Sequence, residues 1–440
     1  MWRLAWVGLA YSGDGGPATS ASLGWAFSVA ATSTGAYAYA DVTNHRIRLI
    51  DTSGIISTIA GNGIAGYCGD GGLATSSCLN NPDGIAVTRT GAFVIADTYN
   101  HRIRLVSTSG IISTIAGNGN AAYSGDGGPA TLASLSSPRS VAEVAMESFA
   151  ITDYMNNRVR LVLPSGRIAT IAGNGVQGYG GDGGQATSAS LNHPVSVSVT
   201  SLGAYVIADK ENHRIRYVST AGIITTIAGT GEAAYGGDGG LATLARLNIP
   251  EFAVVTSQDA IIISDSANNR IRMISTVGII STIAGNGMHG YGGDGGPASS
   301  ASLSYPMGIA ISLTGAIVFT DRDNSRIRHI GSPFIASPTT TQTPSLTPYC
   351  FPSLFRALPR MDLVGTLVGT ALSPGSRVLL PSEESCRQAC CDAPFCDGFS
   401  FASSDLGVAG ATSASCFLYV NITQLIPSSF ASSGIYESTL

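Results

Sequence analysis

Carboxylate groups recur in this chain at a fixed interval, and they are the first residues that could do chemistry. One phrase, Asp-x-x-Asn-His-Arg-Ile-Arg, is clearest at residues 97–104, and a second, Gly-Asp-Gly-Gly, at residues 69–72. The first phrase recurs six times with some variation and the second six times unchanged, both 56 residues apart. Their aspartates are Asp41, Asp97, Asp153, Asp209, Asp265 and Asp321 in the first and Asp14, Asp70, Asp126, Asp182, Asp238 and Asp294 in the second. Calcium loops usually carry several acidic oxygens at alternating positions, whereas each of these glycine-rich loops has one carboxylate. We therefore expect the second set to cap the turns that follow, with no metal or other cofactor.

Arginines recur in the same way and could form a basic stripe for nucleic acid. The repeated Arg-x-Arg pairs are Arg46, Arg48, Arg102, Arg104, Arg158, Arg160, Arg214, Arg216, Arg270, Arg272, Arg326 and Arg328. Twelve arginines match twelve repeated aspartates, the chain has a net charge of −5, and its only lysine is Lys210. Nucleic-acid sites carry an excess of positive charge. We therefore predict ion pairs between neighbouring repeats and capped turns, and no nucleic-acid partner.

Three histidines share one repeat position and could indicate a metal centre. At the position of His45, His101 and His213, the other copies have Asn157, Asn269 and Ser325. Asparagine and serine are poor zinc ligands, and no Ser-His-Asp arrangement with a local nucleophile signature is present. The histidines are therefore predicted to be structural, and the protein is predicted not to be an enzyme.

The elements that position these groups follow from one copy of the repeat. Between Pro82 and Asn118, four runs rich in β-branched and aromatic residues are separated by corners of Gly, Ser, Thr, Asn and Asp. Such runs predict a four-stranded antiparallel meander. Six meanders with a 56-residue period predict an all-β, six-bladed β-propeller. By up-and-down counting, the crossovers between blades and the Asp-x-x-Asn corners lie on the same face.

The repeated phrases also carry a family resemblance. Asn-His-Arg-Ile-Arg at 100–104 resembles the NHL repeat, and residues 111–119 together with Tyr-Ser-Gly-Asp-Gly-Gly at 123–128 resemble the longer variant of teneurin-type NHL regions. The resemblance covers roughly residues 1–336. It implies a propeller that serves as a recognition platform for protein, RNA or glycan, which names a fold and only a broad role.

The ends of the repeat array indicate how the ring closes. The sixth copy departs from the pattern at residues 332–336, where its outer strand is expected, while residues 2–8 occupy the register of an outer strand before the first Gly-Asp-Gly-Gly. We therefore expect the N-terminal segment to supply the outer strand of the sixth blade. Residues 4–10 are apolar but short for a signal sequence, so they are assigned to this structure.

The six copies of the repeat carry different residues at only a few positions. These positions open the inner strand or lie at the corner, and both sets are expected around the channel mouth. One interpretation is surface that merely tolerates change, and the other is a composite binding site of charged and aromatic groups. The candidate site residues are Asp83, Arg139, Glu251, Tyr99, Tyr154, Lys210, Glu211, Arg322 and Asp323.

Cysteine usage indicates an oxidising compartment. Cys68 and Cys78 occur together in one crossover, where the other copies have Ser, Gly or Arg, and they predict a local disulfide. Six further cysteines lie in the last 91 residues, and no apolar run is long enough for a membrane helix. The protein is therefore expected to be secreted or on the cell surface. A Thr/Pro/Ser-rich linker at 337–348 separates the propeller from a second domain at 349–440.

The second domain resembles a small, disulfide-rich α+β PAN/Apple module. The motif is a Cys-x-x-x-Cys segment at 386–390, a third cysteine before the aromatic run at 396–401, and Cys-x-Leu at 416–418. The resemblance implies pairs Cys386–Cys416 and Cys390–Cys396. Cys350 and Cys391 remain over and could pair with each other, although six cysteines allow fifteen pairings. Asn421 begins the chain's N-glycosylation sequon.

These features predict a non-enzymatic recognition or adhesion protein. Its partners are expected to be extracellular protein or carbohydrate ligands, bound through the propeller face and the Apple module. The alternatives are a metal-dependent lyase or hydrolase that uses the central channel, and an RNA-binding propeller.

Overall fold

The structure is a computed structural model that describes residues 11–331 in full. Outside this range it describes only short strands, at 2–3, 6–7, 377–380, 396–402 and 414–420. The chain divides into two compact units, Met1–Pro338 and Thr339–Leu440. Within the described residues, no helix is both long and apolar enough to cross a lipid bilayer.

Five repeats fold into the expected four-stranded antiparallel meander, and the sixth supplies three strands of a blade that the N-terminal segment completes, so that the first unit has six blades. Thr88 shows why the hairpins are tight, because its backbone N–H donates to the Ala92 carbonyl while its Oγ1 accepts from the Ala92 N–H. Three short N-terminal strands precede the first complete blade: β1 (Trp2–Arg3), β2 (Trp6–Val7) and β3 (Ser22–Leu23). Blades one to three consist of β4 (Ala26–Ala31), β5 (Tyr37–Asp41), β6 (Arg46–Ile50), β7 (Ile56–Ala60); β8 (Pro82–Val87), β9 (Phe93–Asp97), β10 (Arg102–Val106), β11 (Ile112–Ala116); and β12 (Pro138–Ala145), β13 (Ser148–Asp153), β14 (Arg158–Val162), β15 (Ile168–Ala172). Blades four to six consist of β16 (Pro194–Val199), β17 (Tyr205–Asp209), β18 (Arg214–Val218), β19 (Ile224–Ala228); β20 (Pro250–Val255), β21 (Ile261–Asp265), β22 (Arg270–Ile274), β23 (Ile280–Ala284); and β24 (Pro306–Ile311), β25 (Ile317–Asp321), β26 (Arg326–Ile330).

Short 3₁₀ turns form the corners and lie within the crossovers. Each corner turn ends at a residue in the left-handed conformation, such as His101 with φ 54°, which His and Asn adopt more readily than most residues. The corner turns are Val42–Asn44, Thr98–Asn100, Tyr154–Asn156, Lys210–Asn212, Ser266–Asn268 and Arg322–Asn324. The crossover turns are Ala18–Ser20, Ala74–Ser76, Ala130–Leu132, Ala186–Ser188, Ala242–Leu244 and Ala298–Ser300.

The ring is closed by the N-terminal segment, as predicted. Strand β1 pairs antiparallel with β26, with Trp2 opposite His329 and Arg3 opposite Arg328, and so completes the four strands of blade six. The inner strand β24 of blade six lies beside β4 of blade one. The Thr320 hydroxyl also donates to the Phe27 carbonyl across this junction.

Apolar side chains of neighbouring blades form the core. In one cluster, Val94 and Ile103 of blade two pack with Val141 and Ile151 of blade three, all fully or almost fully buried. The blades therefore stabilise one another through shared apolar surface, as expected for repeats that cannot bury their faces alone.

A repeated ion-pair network holds each crossover to the blade that it enters. Arg104, fully buried, pairs with Asp70 of the preceding crossover at 2.6 Å and with the corner residue Asp97 at 3.0 Å. Equivalent pairs occur in all six repeats. The prediction of ion pairs between blades is therefore wrong in its location, because both aspartates belong to the same repeat as the arginine. The predicted capping is also wrong, since these aspartates make no side-chain cap to the 3₁₀ turns; a guanidinium is the stronger partner for a buried carboxylate.

The other arginine of each pair stacks on a tyrosine. Arg102 lies 3.7 Å from the centroid of the Tyr67 ring and donates to the Asn100 and Asn118 carbonyls. The Tyr67 hydroxyl in turn donates to Asp70. Neither arginine of the Arg-x-Arg motif is therefore free to form the basic stripe that nucleic acid would require.

The second unit contains a three-stranded antiparallel sheet in the order β27 (Arg377–Leu380), β29 (Ala414–Val420), β28 (Cys396–Ala402). Phe399 of β28 is opposite Leu418 of β29 in the register. The predicted cystine pairs of this unit, the linker and Asn421 lie outside the residues that the structure describes with side chains.

Candidate ligand-binding site at the channel mouth

Residues that open the inner strands lie at the axis of the propeller. Phe27, Val195, Glu251 and Met307 are almost completely buried, Asp83 is 6% exposed, and the side chain of Arg139 is 22% exposed. One interpretation of the sequence took these positions to be surface that merely tolerates change. That interpretation is wrong, because the inner strands come closest at the axis and their opening side chains pack against one another there.

Charged groups from blades two to five form one connected row. Arg139 pairs with Asp83 at 3.5 Å and lies over the Tyr154 ring, 4.2 Å from its centroid. Lys210 flanks the same ring at 5.9 Å and pairs with Glu251 at 3.2 Å. The strand-opening and corner residues that differ between copies are thus brought together at one mouth.

Aromatic and cationic groups of blade six extend the row. The Tyr305 hydroxyl donates to Oε1 of Glu251 at 3.4 Å, and Arg322 lies over the rings of Tyr305 (4.6 Å) and Trp25 (5.1 Å). The Nε of Arg322 donates to Asp323 at 2.9 Å. We call Asp83, Arg139, Tyr154, Lys210, Glu251, Tyr305 and Arg322 the mouth cluster.

Three members of this region were missed by the sequence analysis. Trp25, His193 and Tyr305 occupy one repeat position, just before the inner strand, and His193 stacks on Tyr154 with centroids 4.7 Å apart. The equivalent residues in the other copies are Asn81, Ser137 and Ile249. Divergence at this position, the same signal that identified the other sites, would have found them.

The remaining candidates lie at the rim. Tyr99 is 56% exposed on its corner turn and is close enough to Arg139 to influence the guanidinium electrostatically. Glu211 lies 3.6 Å from Lys210, and Asp323 is exposed beside Arg322. All nine predicted site residues therefore surround the mouth, with Tyr99, Glu211 and Asp323 outermost.

Burial sets the electrostatics of the mouth cluster. Burial, opposed by the neighbouring Arg139 and assisted by Glu251, raises the pKa of Asp83 to about 6. Burial and Glu251 also raise the pKa of the Tyr305 hydroxyl. Asp83 and Glu251 open the inner strands of blades two and five, which face each other across the six-bladed ring. The charge of Glu251 therefore acts on the Asp83 carboxylate across the channel.

Two polar atoms of the mouth cluster are buried without a hydrogen-bond partner among the described residues. They are Nε of Arg139 and Oε2 of Glu251. The whole Arg139 guanidinium, in fact, donates no hydrogen bond to any residue in the described ranges. Buried donors and acceptors are normally paired, so this region has capacity for polar groups that the chain itself does not supply.

An apolar layer closes the channel beneath the cluster. Phe27 and Phe252 come from blades that are not neighbours, yet their rings contact edge to face with centroids 5.9 Å apart. Below this layer is a cavity of about 290 Å³, lined in part by Ser28, Ser140 and Ser196. A ligand at the mouth would therefore approach from the corner face alone.

Histidines of the repeat serve the junctions between blades. Nδ1 of His45, His101 and His213 accepts a backbone N–H from the following blade, at Asn81, Ser137 and Ile249 respectively. Among the residues that the structure describes, no three His, Cys, Asp or Glu side chains form a group that could hold a metal ion.

Comparisons with known proteins agree with the repeat architecture of the propeller. The family model of the Teneurin NHL domain matches residues 63–124, and that of the NHL repeat matches residues 191–216. Mouse Teneurin-4 is 31% identical over 238 residues, and Drosophila melanogaster Teneurin-m is 31% identical over 232 residues. Each alignment covers 47% of this chain but only 8% of the relative. The Arabidopsis thaliana chloroplastic protein SUPPRESSOR OF QUENCHING 1 is 27% identical over 273 residues, covering 59% of this chain and 26% of the relative.

Solved structures show a similar fold at low identity. A protein of unknown function from Bacteroides thetaiotaomicron aligns with a TM-score of 0.56 and 16% identity, over 75% of this chain and 74% of that one. An auxiliary nutrient binding protein from the same bacterium aligns with a TM-score of 0.53 and 16% identity, over 75% of each chain. The repeats are thus similar to NHL repeats, and they fold as a β-propeller.

Proposed function

We propose that this protein is a non-enzymatic recognition protein, secreted or on the cell surface, whose propeller binds an extracellular protein or glycan at the channel mouth. One observation carries the proposal. On a scaffold of nearly identical blades, the residues that differ between copies converge in a single cluster of charged and aromatic side chains, Asp83 and Glu251 among them.

The shape of the mouth supports binding from one side. The cluster rests on the apolar layer of Phe27 and Phe252 and is surrounded by the exposed side chains of Trp25 and Tyr99. Aromatic groups around a few polar anchors are typical of binding sites. The cysteine pair Cys68–Cys78 forms a disulfide, which fits an oxidising compartment.

The second unit is proposed to be a PAN/Apple module at 349–440, joined to a propeller at 1–336 through the linker at 337–348. A second binding module on a flexible linker would raise the effective concentration of either module at a multivalent surface. The three-stranded sheet of this unit is compatible with the proposal.

A protein and glycan array screened with the full chain tests this function. The double variant Tyr99→Ala/Arg139→Met should lose the captured ligand, whereas Met146→Ala, an exposed residue in a hairpin on the other face, should keep it. Equal capture by both variants would argue against the mouth. Loss only on deletion of residues 349–440 would place binding in the second unit, and turnover of the captured ligand would favour the lyase or hydrolase alternative.

A further inference from the structure

We propose that the mouth cluster binds a neutral saccharide through two neighbouring hydroxyl groups. This inference rests on the proposed function and narrows the class of ligand to uncharged glycans. Its basis is that the mouth cluster holds both hydrogen-bond donors and an acceptor without partners among the described residues, and that its four central charges cancel.

Arg139 supplies the donors. Its guanidinium carbon lies 4.2 Å from the centroid of the Tyr154 ring and 5.1 Å from that of the Phe27 ring, so packing against two rings restrains it. Asp83 lies 3.5 Å away, an ion-pair distance, yet no hydrogen bond joins the guanidinium to any described residue. A guanidinium carries five N–H donors in a rigid plane. These donors are therefore oriented and available to oxygen atoms of a ligand.

Glu251 supplies the acceptor. Only 1% of its side chain is exposed, and Lys210 and Tyr305 both occupy Oε1. Oε2 has no partner among the described residues. A small group that entered beside the Lys210 side chain could donate a hydrogen bond to this oxygen.

The balance of charge selects against ions. Arg139 and Lys210 face Asp83 and Glu251, so the four central side chains have no formal net charge when all are ionised. An anionic ligand would be attracted by Arg139 but repelled by the carboxylates of Asp83 and Glu251. A cationic ligand would be repelled by Arg139 and Lys210. A hydroxyl group both donates and accepts hydrogen bonds without adding charge. Two adjacent hydroxyls can therefore satisfy the guanidinium and a carboxylate together.

The walls of the mouth suit the apolar face of a sugar ring. Trp25 is 46% exposed and Tyr99 is 56% exposed, and both surround the charged row. Aromatic rings bury a large apolar area at little conformational cost. A pyranose placed against either ring would present its hydroxyls to the row.

Calorimetry with the full chain can test the selection directly. The probes are methyl glycosides of glucose, galactose, mannose and N-acetylglucosamine, together with glucuronic acid, galacturonic acid and glucosamine as charged partners. We expect at least one neutral sugar to bind, and its charged counterpart to bind about tenfold more weakly or worse. Tighter binding of the uronic acid, or no binding of any neutral sugar, would overturn the inference.

Lys210 provides a second readout in the unaltered protein. It is the chain's only lysine, so an amine-reactive reagent modifies a single side chain, which peptide mass spectrometry separates from the N-terminal amine. A sugar bound over Lys210 and Arg139 should slow this modification in proportion to its occupancy. An unchanged rate at a saturating sugar concentration would place the sugar elsewhere.

Variants identify the groups responsible. Arg139→Met should weaken sugar binding about tenfold or more, whereas Arg89→Met, at an exposed arginine on a hairpin of the other face, should leave it unchanged. Equal affinity of the two variants would contradict the role of Arg139. A protein ligand that is lost with the mouth variants, without any sugar binding, would sink this inference and leave the proposed function standing.

Discussion

At the scale of single residues, one repeat position shows how different side chains can do the same work. His45, His101 and His213 accept a backbone N–H through Nδ1, and Asn157 and Asn269 accept the equivalent N–H through Oδ1. Both residue types also tolerate the left-handed backbone that ends the corner. The exchange of His for Asn between copies thus preserves a hydrogen bond between blades.

The triple variant His45→Asn/His101→Asn/His213→Asn should lose part of the protein's sensitivity to acid. Burial lowers the pKa of each histidine; Arg46, Arg102 and Arg214 lower it further at the respective sites, while Glu211 opposes the shift at His213. A lowered folded-state pKa means that the stability is fully present above the unfolded value of about 6.5 and is lost as the pH falls toward the folded pKa. The free energy of unfolding in urea at pH 7.5 and pH 5 measures this loss.

The wild type should lose more stability than the triple variant between these two pH values, by about 0.5–1.5 kcal/mol for each hydrogen bond that protonation breaks. Asp41, Asp265 and Asp321 have pKa values raised by burial to about 6, and they oppose the trend in this range. They are present in both proteins and cancel in the comparison. Identical pH profiles would show that Nδ1 of these histidines is not the acceptor.

The two arginines of one motif should differ in their effect on stability. Arg104→Met leaves the buried Asp97 without its cation, and we expect it to cost about 3–5 kcal/mol. Arg102→Met removes a stacking contact with the partly exposed Tyr67 and two hydrogen bonds to carbonyls, and we expect it to cost about 1–2 kcal/mol. Urea unfolding of the two variants gives the comparison, and equal losses would argue that the buried ion pair adds nothing.

At the scale of elements, the same two positions in the crossover carry a cysteine pair in one repeat and a serine pair in another. Cys68 and Cys78 form the predicted disulfide in the crossover that enters blade two. In the crossover that enters blade three, Ser124 and Ser134 take the same positions, and the Ser134 N–H donates to Oγ of Ser124 at 3.1 Å. The backbone N–H of Cys78 makes the equivalent contact to Sγ of Cys68 at 2.9 Å, so the disulfide adds a covalent link to a contact that both crossovers share.

Replacing both cysteines by serine should therefore lower stability and keep the fold. Closure of a ten-residue loop contributes about 2–3 kcal/mol in the chain-entropy model. Urea unfolding of Cys68→Ser/Cys78→Ser should show a loss of this size, and circular dichroism of the folded protein should be unchanged. If reduction of the wild type and the double substitution gave clearly different stabilities, the effect could not be assigned to this bond alone.

At the scale of the whole molecule, closure of the ring depends on a few residues far away in sequence. Strand β1 gives β26 its outer neighbour, and without it the edge of blade six would be unpaired. Removing residues 1–10 should therefore lower the melting temperature and promote association in size-exclusion chromatography. A synthetic peptide of residues 1–10 should reverse both effects when added in excess, and a deletion variant as stable as the full chain would contradict this role.

Much of the propeller could be predicted from the sequence, because a fixed period with strand-like runs leaves few architectures. The period placed Asp97 and Asp153 at equivalent positions in their blades, and the register of the N-terminal residues predicted the closing role of β1. It did not predict how far each side chain lies from the axis. For that reason the burial of Glu251 and the ion pair of Arg104 with its own crossover emerged only from the structure.

Six nearly identical blades that differ mainly in the residues at the channel mouth have an evolutionary consequence. Because Arg104 and its equivalents hold every crossover in the same way, exchange of one 56-residue unit for another would keep the scaffold of six blades. Each such event would nevertheless bring a different strand-opening residue, such as Asp83 or Arg139, to the axis. New specificities could then arise by shuffling whole modules, without first passing through misfolded ancestors.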